Sequence, residues 1–147
     1  MNLVKKATAM DMKIKLSTLW IFAILNYIYC DVFGLTDPNM LKELISGTGP
    51  IQMTQGFLLG AAILMEIPIA MVLLSRVLKY KENRWANIIA GLIMSVVQIS
   101  TLFVGTPTIY YVFFSIIENA CTLFIVFYAW RWRNPEGSLA AAPAVGV

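Results

Sequence analysis

Three acids, Asp31, Glu66 and Glu118, stand inside long apolar stretches of this chain, and no Lys or Arg accompanies them in the hydrophobic interior. An ionisable group at membrane depth costs about 2.5–3.5 kcal/mol on insertion scales, so such groups mark functional sites by default. They suit three kinds of work: holding a proton, holding a cation, or accepting hydrogen bonds from a ligand in an apolar cavity. Two carboxylates brought together in low dielectric cannot both ionise cheaply, so a Glu66–Glu118 pair would share a proton and titrate as a unit. The same pair would be an acid/base couple for isomerising or cyclising a lipophilic substrate.

These acids must be positioned by helices that cross a bilayer. A span takes about 20 mostly apolar residues. Four segments meet that length: 16–34, 56–77, 85–104 and 108–130. The expected fold is therefore all-α: an integral membrane four-helix bundle, with residues 1–133 as a single four-span domain. The segment 134–147, with its Pro, Gly and run of Ala, reads as a disordered tail. Between the first two spans, Asp37 suits a helix cap, Pro38 the first helical position and Gly47 a stop. A short helix is expected there.

Orientation follows from the basic residues. Of 11 Lys and Arg, only Lys42 falls between the first and second spans. The other ten precede span one, flank the turn between spans two and three, or follow span four. The positive-inside rule then places both termini in the cytoplasm. Trp20, Trp85, Trp130 and Trp132 fall near the same side, as an inner aromatic belt would.

At about 1.5 Å per helical residue, Glu66 and Glu118 each lie about 15 Å below the outer end of their span, near the midplane. Asn26 reaches a similar level, and Asp31 and Gln98 lie further out. Helical spacing assigns faces. Tyr111, Ser115, Glu118 and Thr122 form one stripe, and Asn87, Gly91, Ser95 and Gln98 another. Tyr27 and Asp31 share a face of span one with Asn26 at its edge; Ala62, Glu66 and Ala70 share a face of span two. Four polar stripes turned inwards would make an acid-lined cavity. Its ligand- or proton-binding residues would be Glu66, Glu118, Asp31, Gln98, Asn26, Tyr27, Tyr111 and Ser115.

The totals narrow the classes further. The 147 residues are 59% hydrophobic and 13% charged, with mean hydropathy +0.75. Soluble domains are about 45–50% apolar and about 25% charged. That excludes a soluble globular domain, a disordered chain and a nucleic-acid module. There is no His, and the two cysteines, Cys30 and Cys121, form no CxxC motif. No metal set and no cofactor motif is written in the chain.

The strings Asn26-Tyr27-Ile28-Tyr29-Cys30-Asp31, Gly60-Ala61-Ala62-Ile63-Leu64-Met65-Glu66-Ile67-Pro68 and Lys81-Glu82-Asn83-Arg84-Trp85-Ala86-Asn87 resemble an uncharacterised bacterial family of small four-span membrane proteins, DoxX-like in layout. The resemblance runs from about Lys15 to Trp130. It implies a multi-pass protein of the bacterial inner membrane, and it implies no activity.

The leading functional expectation is a membrane protein that binds, or transports in exchange for protons, a small lipophilic or cationic molecule. The alternatives are a membrane-embedded acid/base enzyme acting on a lipophilic substrate, and a structural or assembly partner whose acids glue helices together. The expected partners are the lipid bilayer and that small molecule. A homo-oligomer is a further expectation, with Gly56 and Gly60 as a close-packing surface.

Overall fold

A computed structural model describes residues 3–133, with side chains from residue 10 onwards; the expected tail, 134–147, lies outside the described residues. It is all-α, with no strand among the described residues. Five helices follow in order: α1 (Leu3–Thr36), α2 (Pro38–Ser46), α3 (Gln55–Val77), α4 (Tyr80–Thr101) and α5 (Ile109–Arg131). Segments of three of them, Met10–Thr36, Gln55–Val77 and Ile109–Arg131, are long and apolar enough to cross a membrane. They associate the chain with a bilayer. The 22-residue α4 is as long as α3 and α5 within one residue, but its Asn, Gln, Ser and charged residues lower its apolarity.

The four long helices pack side by side in a ring, in the order α3, α1, α5, α4, with α4 returning to α3. The short α2 rests on α1 at the end opposite the α3–α4 turn. We call these the loop end, where α2 lies, and the basic end, where Lys13, Arg76, Lys79, Arg84 and Arg131 lie.

Local chemistry explains the helix limits. Asp37 caps α2 by accepting from the Asn39 N–H at 2.9 Å, Pro38 begins the helix, and Gly47 ends it at φ 66°. Thr54 caps α3 through the Phe57 N–H. The α4–α5 turn passes through Gly105 at φ 69°, a left-handed conformation that costs Gly nothing. Helix α1 begins well before the apolar span. Its lead, Leu3–Lys15, is rich in good helix formers and lacks Gly and Pro. Asp11 and Lys15 pair across one turn at 2.7 Å.

The basic end is stitched together by hydrogen bonds. Asn87, fully buried, accepts from the Trp20 indole at 2.7 Å and from the Ser75 hydroxyl at 3.1 Å. Its amide donates to the Asn83 side chain at 2.7 Å, and the Asn83 amide donates to the Ser75 carbonyl at 2.6 Å. Ser17 donates to the Val72 carbonyl and accepts from Arg76 Nε. Lys13 donates to the Leu78 carbonyl at 2.6 Å, just past the last turn of α3. Tyr80 and Arg84 bind the carbonyls of Trp132 and Trp130 at the end of α5. Trp20 is thus a core residue rather than part of an aromatic belt; Trp85 and Trp130 face outwards.

Helix α3 divides into two unlike halves. Its buried residues are Pro68, Met71 and Ser75, all towards the basic end. None of its residues from Gln55 to Ile67 is buried. The α3–α4 contact is the sparsest side of the ring.

The α4–α5 contact is the tightest feature. A Cβ built at Gly91 would lie 2.7 Å from Val126 Cγ2 and 3.3 Å from the Thr122 carbonyl oxygen. Close backbone approach through a small residue is a common way for apolar helices to associate. Gly91→Leu should therefore cost about 1–3 kcal/mol through overpacking. Thermal unfolding in detergent checks this, and an unchanged midpoint would refute the close contact.

Candidate functional site

Where α3 parts from α4, a half-open cavity of about 670 Å³ lies between the helices. All four long helices contribute to its wall. Tyr27, Cys30 and Asp31 come from α1; Met94, Gln98 and Thr101 from α4; Tyr111 and Glu118 from α5. The loop-end half of α3 supplies an apolar side that includes Phe57, Leu64 and Met65. A polar wall facing an apolar one is the usual make-up of a small-molecule pocket.

Glu118 is the group that most needs explaining. It is 1% exposed, and neither of its carboxylate oxygens has a hydrogen-bond partner within the protein. The Tyr27 hydroxyl, also buried, has none either. Behind Glu118, the Asn119 side chain donates to the Ser115 carbonyl at 2.9 Å, and its own Oδ1 has no partner within the protein. Buried polar atoms are nearly always paired, so the unpartnered Glu118 carboxylate and Tyr27 hydroxyl, both on the cavity wall, are an anomaly with a place.

The neighbouring groups are satisfied and rigid. Gln98 donates to the Ser115 hydroxyl at 2.8 Å, bridging α4 and α5. Ser95 and Thr122 share a hydrogen bond of 2.7 Å, and Thr122 also reaches back to the Glu118 carbonyl. Tyr111 donates to the Thr101 hydroxyl at 2.6 Å. The helix bearing Glu118 is thereby held in register against α4.

A second cavity, of about 580 Å³, lies at the loop end beneath α2 and the α4–α5 turn. Ile51, Thr101 and Tyr111 line both cavities. The Tyr111–Thr101 hydrogen bond therefore lies between this loop-end cavity and the inner chamber.

Five of the residues expected from sequence meet at the inner chamber: Glu118, Asp31, Gln98, Tyr27 and Tyr111. Ser115 is buried beside it, as the acceptor that holds Gln98. Asn26 is not on the wall; its amide turns back to the Phe22 carbonyl at 2.8 Å. Glu66 is not there either. It is exposed, on the face of α3 opposite the buried stripe of Pro68, Met71 and Ser75. The expected Glu66–Glu118 pair does not form. The stripe Ala62–Glu66–Ala70 has the spacing that was expected, but Glu66 on it faces away from the ring.

Thr101, which the sequence reading passed over, proves to be the partner of Tyr111. A signal existed: Thr101 lies one turn beyond Gln98 on the same face of α4.

The arrangement offers an apolar chamber with two acids, a free phenol and an oriented amide at one wall. It can accept hydrogen bonds from, and place negative charge beside, the polar head of a mostly apolar molecule. Nothing in the arrangement supplies an activated nucleophile.

A family model described as "Family of unknown function (DUF6326)" matches residues 7–139. No curated protein and no solved structure matches the chain.

Proposed function

The chain belongs to that family of unknown function, and we propose that it is a four-span protein of the bacterial inner membrane that binds a small lipophilic amine in the inner chamber. The carrying observation is Glu118: a carboxylate almost wholly buried, both oxygens without a partner in the protein, at the wall of a cavity of about 670 Å³. An ammonium group satisfies both oxygens at once through charge-assisted hydrogen bonds. Asp31, on the same wall, adds negative charge nearer the loop end, and the Tyr27 hydroxyl adds a further acceptor. The apolar side of α3 takes the body of the ligand.

The membrane reading has its own support. At about 1.5 Å per residue α4 is about 33 Å long, enough for a bilayer core. Of its uncharged polar residues, Asn83, Asn87 and Ser95 are buried against the other helices. It thus serves as a fourth span, polar inside and apolar outside. With four spans, the bias of basic residues to one end puts both termini in the cytoplasm and the loop-end cavity outside.

The test is binding of an arylalkyl primary amine to the purified protein in detergent, read by calorimetry between pH 5 and pH 8. Such an amine stays charged throughout, as lysine does with a side-chain pKa of about 10.4. Proton and ammonium compete for one carboxylate, so affinity should rise with pH. Glu118→Gln should weaken binding about ten- to a hundredfold, the value of a hydrogen bond to a charged group. Equal affinity of wild type and Glu118→Gln would overturn the proposal. Turnover of a neutral lipophile, with no amine bound, would favour an enzyme instead.

A further inference from the structure

We infer that a second copy of this chain packs, in the same orientation, against the outward face of α3, with the two Glu66 carboxyls meeting at the two-fold axis. The observation is the placement of Glu66. It is 12 residues from the Thr54 cap and 11 from Val77, so it lies near the middle of α3. At about 1.5 Å per residue it is about 16–18 Å from either helix end, too deep for a short side chain to reach water. No Lys or Arg occurs in α3 before Arg76. The ring offers no partner, because Glu66 faces directly away from it.

The surroundings of Glu66 form a seam. Leu59, Ile63, Glu66, Ala70, Leu73 and Val77 follow one another at steps of four, three, four, three and four. That is the spacing with which two helices wind around each other, and a single polar residue in such a seam fixes register and partner number. Leu59, Ile63, Leu73 and Val77 are 63–65% exposed, the four most exposed residues of their type on α3. At the loop end the seam continues to Gly56, where an added Cβ would meet nothing within 4 Å.

A carboxyl group explains why the occupant is another copy. A protonated carboxyl both donates and accepts, and an ionised one accepts, so two of them across a two-fold axis satisfy each other. Polar side chains join membrane helices in this way. Every copy inserts the same way round because the basic residues cluster at one end. None of the seam residues is on the wall of the inner chamber, so this inference stands apart from the amine proposal.

Disulfide trapping in membranes tests it. Ile63→Cys and Ala70→Cys, oxidised in the bilayer, should each give a band at twice the 16.4 kDa of the chain. Leu123→Cys, outward-facing on α5, should not, nor should wild type, whose two cysteines are buried. Glu66→Gln should keep the bands, since an amide also pairs with itself. Glu66→Leu should cut the dimer fraction at low protein-to-lipid ratio roughly tenfold. Native mass spectrometry of unmodified protein supplies a measurement independent of any substitution. Trapping at Leu123 equal to that at Ile63, adducts with a different protein, or a monomeric wild type that gives no seam bands would each overturn the inference.

Discussion

Glu118→Met should raise the melting temperature of the ligand-free protein by several degrees. Both oxygens of this buried carboxylate lack a partner in the protein, and a buried polar group left unsatisfied costs about 1–3 kcal/mol, more when it is charged. Methionine has a similar length and no group to desolvate, and the chamber beside it has room for its flexible end. The same substitution should abolish amine binding. A carboxyl that glued helices together would show the opposite stability change, because its loss would leave partners unpaired. Thermal unfolding with and without the amine therefore separates the two roles in one experiment. Gain of stability with loss of binding is the mark of a site kept for its ligand. A drop in the melting temperature would show that Glu118 holds the fold.

Asn87→Ala should have the largest effect in the other direction, lowering stability by about 2–4 kcal/mol. This residue is fully buried and makes hydrogen bonds to Trp20, Ser75 and Asn83. Its removal leaves a buried indole N–H and a buried hydroxyl without acceptors, each costing about 1–3 kcal/mol in part recovered by rearrangement. The network joins α1, α3 and α4, so the loss should appear as earlier unfolding of the whole chain rather than fraying of one helix. Detergent unfolding monitored by tryptophan fluorescence and by far-UV circular dichroism checks this. Separate transitions for the two probes would contradict it.

The sequence made some features legible for identifiable reasons. The α2 helix carries its own punctuation, Asp37-Pro38 at the start and Gly47 at the end. The stripes on α4 and α5 were readable because polar residues there recur at helical spacing among apolar ones, and Asn87, Ser95, Ser115, Glu118 and Thr122 are all buried. Glu66 was not readable in the same way. Periodicity says which residues share a face, but not which face points inwards. In a water-soluble protein the apolar side settles that question. In α3 both sides are apolar, so the single acid suggests the inside, and it marks the outside. Trp20 shows the same ambiguity: an aromatic residue near a helix end suits an interfacial belt or a core, and only its hydrogen bond to Asn87 decides. Asn26 shows a third: an amide in a helix satisfies itself on the carbonyl one turn back and so carries no obligation to a site.

The division of α3 at Pro68 separates two burdens along the length of the molecule. Pro68 removes the backbone donor that would have bound the Leu64 carbonyl, so the helix ladder is interrupted where burial also stops. Below it, the helix is anchored through Ser17, Asn83 and Asn87. Above it, from Gln55 to Ile67, the helix makes only light contact with α4 of its own ring, and its outward face, with Leu59, Ile63 and Glu66, is the one assigned above to a second copy. Within one copy the anchoring of α3 is therefore concentrated at one end, and the chamber at the other end is walled on one side by a helix with few contacts to α4. The wall can accept bodies of different bulk without loosening the anchor, so variation along Phe57, Leu64 and Met65 can retune what the chamber admits while the fold is maintained from the far end.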